Sequence, residues 1–163
     1  MNTLNSNLDN TDWKILTELQ RDARLSFAEL GRRVGLSSPA VQERVRRLED
    51  AGVIEGYHVK VNAKKVGLPI MSWTRLVDLQ GKYNIEQVAE IAKTTPEILN
   101  CYHLIGQDEY LLQIVATSVE HLELVLQKFT EHCQSISSIV IKASVSTRPI
   151  EPHITEFTYE EES

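Results

Sequence analysis

The sequence predicts an α+β protein that joins an N-terminal helix-turn-helix, winged-helix-like domain to a C-terminal ferredoxin-like βαββαβ domain. Three observations predict it: apolar residues at helical spacing in the first third, alternating strand and helix patterns afterwards, and a change of charge between the halves. We expect the helix-turn-helix domain in residues 1–60, a linker in 61–70, the ferredoxin-like domain in 71–150 and a tail in 151–163. With 163 residues, 42% of them hydrophobic, the chain has enough apolar material for two small cores.

Capping residues mark the start of the first two predicted helices. Asp9 or Asn10 caps the first helix, whose apolar face consists of Trp13, Ile15, Leu16 and Leu19. Ser26 caps the second helix, and Glu29 three residues later completes the spacing of a capping box. Gly35 ends this helix, because a residue in the left-handed conformation is expected there.

The third predicted helix follows at once and gives the region its helix-turn-helix character. Ser37 or Ser38 caps it, Pro39 lies in its first turn, and its apolar stripe consists of Val41, Val45 and Leu48. Two helices joined by a short turn with glycine form a helix-turn-helix, and the second of them enters the major groove of DNA. Loose alternation over residues 53–61 predicts a strand after it.

The face of the third helix opposite its apolar stripe carries the candidate DNA contacts. Arginine suits both phosphates and guanine edges, so Arg46 and Arg47 are the best candidates. Gln42 can recognise adenine, Glu43 can accept from cytosine, and Ser38 can bind a phosphate. The complete candidate set is Ser37, Ser38, Pro39, Gln42, Glu43, Arg44, Arg46 and Arg47.

Three of these residues also have a purely structural interpretation. Arg44 lies closer to the apolar stripe and could form an ion pair with Glu29 or Glu49. Glu43 could offset Arg47 one turn later, and Ser38 could act only as a cap.

The distribution of charge allows a nucleic-acid contact in the first half, whereas a solvated surface with i,i+4 ion pairs is the alternative interpretation and, for this window taken alone, the favoured one. The net charge of −6 for the whole chain argues against such a contact. However, residues 1–60 hold nine basic and nine acidic residues, whereas residues 61–163 hold eight and fourteen. Residues 24–47 contain six arginines and two glutamates, which gives this window a charge of +4.

Residues 71–150 alternate between strand and helix patterns. Strands are predicted over residues 71–79, 98–105, 110–117 and 136–147, and helices after the capping residues Asn84 and Ser118. The second of these helices carries the apolar stripe Leu122, Val125, Leu126, Phe129 and Cys133. The order βαββαβ is the ferredoxin-like arrangement, in which two helices cover one face of an antiparallel sheet.

Two of the predicted strands are apolar on both faces. Tyr110, Leu112 and Ile114 alternate with Leu111 and Val115, and the last strand shows the same pattern. A strand with one face in water would alternate apolar with polar residues. We therefore expect a homodimer in which a second sheet covers the open face, and its two-fold symmetry suits a two-fold DNA site.

With these residues considered together, the chain resembles the feast/famine regulators, the family of the leucine-responsive regulatory protein and AsnC. The resemblance runs from Leu8 to Pro149. In the first half it rests on the segments LDNTD, DAR, the Leu-Ser helix start and RVRRLEDAGVI, and in the second half on GQDEYLL.

The resemblance implies dimers that assemble further, often to octamers, around double-stranded DNA and respond to a small effector, usually an amino acid. In the family the effector lies between dimers, near the loop that joins the second and third strands. The matching positions here are Gly106, Gln107, Asp108, Glu109 and Tyr110. Glycine permits close approach of the backbone, and a carboxylate can pair with a ligand ammonium group. Glu109 stands where the family usually has Asp, and a tight hairpin with a polar tip is the alternative interpretation of this loop.

Other classes of function have little support in the sequence. The five histidines lack the spacing of a zinc site, and no nucleophile elbow, phosphate loop or dinucleotide fingerprint occurs, so we expect no metal, no cofactor and no enzyme activity. Two cysteines are too few for a disulfide scaffold, and neither a signal peptide nor an apolar run of membrane length is present. We expect a cytoplasmic, nucleoid-associated protein.

The sequence thus predicts a sequence-specific DNA-binding transcriptional regulator whose assembly or DNA binding responds to an amino acid or similar small effector. One alternative is a nucleoid-organising protein of low sequence specificity. Another is a ligand-binding regulatory subunit whose arginine-rich helix binds a protein instead of DNA.

Overall fold

The computed structural model describes residues 8–77, 85–106, 110–130, 133–145 and 148–152, which form two compact units. The first unit contains the N-terminal residues up to Val59 and the C-terminal residues from Val145, and the second spans Lys60–Ser144. The segment 148–152 bonds to the first unit, where the Ile150 N–H donates to Gln20 Oε1 at 2.7 Å.

Three helices make up the first unit, and all three were expected: α1 (Asn10–Arg21), α2 (Phe27–Val34) and α3 (Ser38–Asp50). Each contributes to one apolar core, whose buried members are Ile15, Leu16, Leu30, Val41, Val45 and Leu48. Full burial of such a side chain contributes about 1.5–3 kcal/mol, so the core accounts for how the helices pack.

The N-termini of α1 and α2 are capped in different ways. Asp9 accepts the N–H groups of Thr11 and Asp12, and the Asp12 carboxylate accepts the Asp9 N–H, which completes a capping box. At α2, Ser26 Oγ accepts the Glu29 N–H at 3.2 Å as expected. The expected second half of that box is wrong, because the Glu29 carboxylate accepts charge-assisted hydrogen bonds from two arginines instead.

A tight turn joins α2 to α3. Gly35 is the C-cap of α2 with a φ of 77°, the left-handed conformation that the sequence predicts. The Leu36 N–H donates to Gly31 O at 2.9 Å, and this brings the turn close to the helix. A Cβ atom on Gly31 would lie 2.5 Å from Leu36 O, so this position inside α2 also requires glycine.

The strand expected over residues 53–61 does not form. The N–H groups of Val53 and Ile54 donate to Leu48 O at 2.9 and 3.1 Å and close the end of α3. No described strand pairs with the residues that follow, and Val59 is 88% exposed. The winged-helix-like part of the prediction therefore lacks its wing strand, because a strand needs a partner for its backbone groups.

The second unit has the predicted ferredoxin-like order of elements. A short 3-10 helix (Ala63–Val66) comes first. It is followed by β1 (Ile70–Val77), α4 (Ile85–Thr94), β2 (Ile98–His103), β3 (Tyr110–Ala116), α5 (Val119–Gln127) and β4 (Gln134–Ile139). The strands form one antiparallel sheet in the order β2-β3-β1-β4. The last strand is shorter than expected, since its pairing with β1 ends at Ser72 and Ile139.

Helices α4 and α5 cover one face of this sheet. Leu76, Leu112 and Ile114 share a core with Val88 of α4 and Val125 of α5. Two small polar residues of β1, Ser72 and Thr74, are also fully buried. The predicted apolar stripe of α5 extends past the end of the helix, because Phe129 and Cys133 are buried as well.

The second face of the sheet carries a band of large side chains. The strand register places Arg75 beside Leu111 and Ile136, and Leu111 beside Tyr102. Trp73 lies on the same face, and its ring stacks on that of Tyr102 with ring centroids 6.5 Å apart.

Within the described residues, no helix is long and apolar enough to cross a membrane.

Candidate nucleic-acid interface and effector site

The outward face of α3 collects most of the predicted DNA contacts. Val41, Val45 and Leu48 are buried in the core of the first unit, and this fixes which side of the helix faces outward. Ser38 and Arg44 are half-buried at the border of that face. The exposed members of the predicted set are Ser37, Pro39, Gln42, Glu43, Arg46 and Arg47.

The first turn of α3 leaves backbone N–H groups without a side-chain cap. Ser37 occupies the N-cap position and Pro39 lies in the first turn, as the sequence predicts. The Ser37 hydroxyl makes no capping hydrogen bond. Pro39 has no N–H, and the Val41 N–H donates to Ser37 O. The N–H groups of Ser38 and Ala40 therefore keep the capacity to bind an anion, which the helix dipole favours.

Arg44 forms an ion pair that joins α3 to the start of α1. Its Nη1 donates to Asp9 Oδ2 at 2.6 Å and to Asp12 Oδ1 at 2.7 Å. The Asp12 side chain is only 4% exposed. The Asp12 N–H and the Arg44 guanidinium lower the pKa of Asp9, and hydrogen bonds to Asp9 and Asp12 raise the pKa of Arg44. The expected partners, Glu29 and Glu49, were wrong.

Arg46 and Glu43 form an exposed pair on the outward face. Arg46 Nε and Nη2 donate to the Glu43 carboxylate at 3.2 and 2.9 Å, and Asp50 lies 3.8 Å away. This hydrogen bonding lowers the pKa of Glu43. Glu43 thus pairs directly with Arg46, whereas Arg47 Nη2 lies 3.7 Å from Asp12 Oδ1.

The arginines of α2 are held by acidic residues as well. Glu29 accepts from Arg32 at 2.7 Å and from Arg33 at 2.8 Å, and Arg33 also donates to Glu18. These guanidinium groups lower the pKa of Glu29 to about 2. Glu29 is already counted in the charge of +4 over residues 24–47. Arginines of this window also pair with acidic residues outside it, among them Glu18, Asp9 and Asp12.

The predicted effector loop lies at the end of the β2–β3 hairpin. Gln107, Asp108 and Glu109 lie outside the described residues. Gly106 and Tyr110 flank them, and the last pair of the hairpin joins Tyr110 to His103, with ring centroids 5.0 Å apart.

A cleft of about 410 Å³ adjoins this end of the hairpin, and its volume lies in the range typical of small-molecule sites. Its polar side chains come from Lys93, Asn100 and His103, none of which was predicted. The remaining lining residues are Ala89, Ala92, Ile98, Leu99, Cys101 and Tyr110. No sequence signal marks this group, because its members come from a helix and an edge strand that only the fold brings together.

Metal binding has no support among the described residues, where no three His, Cys, Asp or Glu side chains are grouped to hold an ion.

Comparison with protein families identifies both halves of the chain. Residues 8–49 match the AsnC-type helix-turn-helix domain, and residues 76–150 match the Lrp/AsnC ligand binding domain. The first matched region contains α1, α2 and all but the last residue of α3, and the second contains most of the second unit.

Named relatives are similar over most of their length. The chain is 38% identical to the transcriptional regulator LrpC of Bacillus subtilis, covering 82% of this chain and 91% of that protein. It is 33% identical to the transcriptional regulator LrpA of Mycobacterium tuberculosis, covering 89% and 97%. Both relatives are regulators, so the expectation of a regulator and not an enzyme is confirmed.

Solved structures show the same architecture. A transcriptional regulator of Neisseria meningitidis, determined in complex with L-methionine, superposes with a TM-score of 0.82 at 34% identity, covering 90% of this chain and 99% of that one. Bacillus subtilis LrpC gives a TM-score of 0.79 at 36% identity, covering 86% and 99%. The chain therefore belongs to the Lrp/AsnC family of helix-turn-helix transcriptional regulators.

Proposed function

We propose that the first unit binds a two-fold DNA site with α3 in the major groove, and that the second unit binds an effector and assembles the protein. The observation that carries the DNA-binding part is the outward face of α3, whose exposed polar side chains lie opposite the buried apolar stripe of Val41, Val45 and Leu48. In this proposal Gln42, Glu43, Arg46 and Arg47 face the bases and phosphates, and Ser37, Ser38 and Pro39 form the phosphate site at the helix start. Arg44 acts mainly as a positioning residue.

Loss of Arg46 tests this interface. Arg46→Ala should weaken binding to a selected operator by about 1–3 kcal/mol and relax the preference at one base pair. The matched control is Arg21→Ala, which removes an arginine of similar exposure (59% against 63%) from the last turn of α1. Fluorescence anisotropy with operator and scrambled DNA measures both effects.

The possible outcomes separate the proposal from its alternatives. Equal affinity of the Arg46→Ala variant and the wild type for every DNA would contradict the groove assignment. Equal weakening on operator and scrambled DNA would favour a DNA-organising protein of low specificity. A similar loss in the Arg21→Ala variant would mean that only total charge matters.

We also propose that the effector is an amino acid bound at the loop of Gly106, Gln107, Asp108, Glu109 and Tyr110, with the neighbouring cleft taking its side chain. The similarity to a regulator in complex with L-methionine supports this ligand class. The carboxylates of Asp108 and Glu109 suit a ligand ammonium group, and the apolar walls of the cleft suit an apolar side chain.

A thermal-shift screen of the twenty amino acids tests the effector proposal. We expect at least one, with L-methionine as the first probe, to raise the melting temperature, because a ligand that binds only the native state stabilises it. N-acetyl-L-methionine, which lacks the ammonium group, should have no effect. Asp108→Ala should abolish the shift, and the proposal fails if no amino acid stabilises the wild type or if this variant responds fully.

We propose that two copies associate through the second face of the sheet and assemble further, as in an octamer. Trp73, Leu111 and Ile136 lie on this face, and a soluble protein rarely leaves such a band uncovered. Ile136→Lys should shift the sedimentation coefficient toward that of a monomer, whereas Leu124→Lys on the exposed side of α5 should not. A monomeric wild type at micromolar concentration would contradict this part. A protein with this role would lie in the cytoplasm, associated with the nucleoid.

A further inference from the structure

The C-terminal segment 148–152 bonds to helix α1 through its backbone. Gln20 Nε2 donates to Ile150 O at 3.1 Å, and the Ile150 N–H donates to Gln20 Oε1 at 2.7 Å. A carboxamide carries the same donor and acceptor pair as a peptide group, so the two bonds reproduce the way in which a neighbouring strand binds an extended peptide. The Ile150 side chain is 62% exposed, which leaves the backbone as the recognised feature.

A cleft of about 490 Å³ on α1 and α2 continues beside this contact. Trp13 and Thr17 of α1 and Arg33 of α2 line it, and Pro152 of the C-terminal segment contributes to its wall. The other lining residues are Asn10, Lys14, Glu18 and Val34. The segment therefore meets α1 at two places, at Gln20 and beside this cleft.

The contact between Gln20 and Ile150 affects how the first unit is connected to the second. The chain leaves the first unit after Val59 and returns to it at Val145, so the second unit is inserted between two parts of the first. If the returning segment were not docked, the helices of the first unit would be connected to the second unit only through residues 59–60. A second attachment closes the chain between Val59 and Val145 into a loop whose two ends both belong to the first unit.

We infer that the surface of α1 around Gln20 is a docking site for residues 148–152 of the same chain, and that the docked segment is a second tether of the DNA-binding helices. This contact uses none of the proposed DNA-binding or effector residues. Its test therefore needs neither ligand, and its failure would leave the proposed function untouched.

Amide hydrogen exchange of the full-length protein tests the docking. Gln20→Ala removes both bonds, and the loss of two exposed hydrogen bonds should speed exchange at the Ile150 amide about tenfold. Gln127→Ala is the matched control, since it removes an exposed glutamine at the end of α5 in the second unit and should leave that amide unchanged. Equal exchange in wild type and Gln20→Ala would overturn the inference.

Substitutions at Ile150 test whether the backbone is what α1 binds. Ile150→Pro removes the N–H that Gln20 accepts, whereas Ile150→Ala keeps it. In a Trp73→Phe background, where Trp13 is the one remaining tryptophan of the sequence, Ile150→Pro and Gln20→Ala should shift the emission to the red because the cleft opens to water. Ile150→Ala should not shift it. Equal shifts for both Ile150 variants, or none for Ile150→Pro, would contradict docking through the backbone.

Discussion

Replacement of Arg44 by methionine should destabilise the helix-turn-helix, because it leaves the Asp12 carboxylate without its closest cation. Arg44 Nη1 lies 2.7 Å from Asp12 Oδ1, and the Asp12 side chain is 4% exposed. A hydrogen bond to a charged group contributes about 1.5–3 kcal/mol, and more when both partners are fully buried. Here Asp12 keeps both the Asp9 N–H at 3.2 Å and Arg47 Nη2 at 3.7 Å as partners. Arg44 itself is 27% exposed. These two features place the expected loss at about 2 kcal/mol.

Thermal unfolding measures this loss. For a unit of this size, about 2 kcal/mol corresponds to a fall in melting temperature of about 8–16 °C. Trp13 emission in a Trp73→Phe background follows the first unit alone. Arg46→Met is the matched control, since it makes the same change on the same helix but breaks a pair whose side chains are 63% and 58% exposed. That control should lose less than about 0.5 kcal/mol, and equal melting temperatures for the two variants would refute the reasoning.

Three further predictions concern backbone geometry and ionisation. Gly31→Ala should lower the free energy of unfolding by about 2–3 kcal/mol in a denaturant titration, because its Cβ would lie 2.5 Å from a backbone oxygen. Gly35→Ala, which has open space around its Cβ, should lower it by only about 1 kcal/mol. Pairing with Arg32 and Arg33 lowers the Glu29 pKa from 4.5 to about 2. This pairing therefore stabilises the fold above pH 4.5, and the stabilisation is lost as the pH falls toward 2. Glu29→Gln should reduce the change of melting temperature with pH over that range. Burial and the Glu49 carboxylate raise the Tyr57 pKa from 10 to about 12. The protonated phenol therefore stabilises the fold below pH 10, and this stabilisation is lost as the pH rises through 12. Tyr57→Phe should remove one phenolate step near pH 12 from the absorbance titration.

The helices of the first unit could be predicted because their signals are local. Val41, Val45 and Leu48 repeat along one face of α3, and this spacing alone fixes which face is buried. The partners of Arg44 could not be predicted in this way, since 35 and 32 residues separate it from Asp9 and Asp12. The Asp-x-x-Asp spacing of those two residues does match a capping box, and it was the available signal for the start of α1.

In the second unit too, the sequence predicts the helices and strands but not which residues of the strands pair. Alternation and caps predict its strands and helices, but only the register decides where β4 ends. Alternation over residues 53–61 predicts a strand, but this segment pairs with none of the described strands. Alternating polarity shows that a segment can form a strand, and it does not show which strand will pair with it. Likewise the cleft beside the hairpin combines Lys93, Asn100 and His103, whose juxtaposition depends on the tertiary fold.

If the proposed DNA interface is correct, the ion pairs of α3 divide its arginines between stability and recognition. Arg44 holds a nearly buried carboxylate, so releasing it to bind DNA would cost the fold much of the stabilisation that Asp12 receives. The exposed pair of Arg46 and Glu43 contributes little to stability, so a phosphate or guanine can replace Glu43 at small cost. Because few cations of the interface are available for such exchange, counterion release should be modest and the salt dependence of binding shallow. In the proposed interface, discrimination between DNA sequences would then depend on a few base contacts from α3 more than on the total charge of the protein, which is −6.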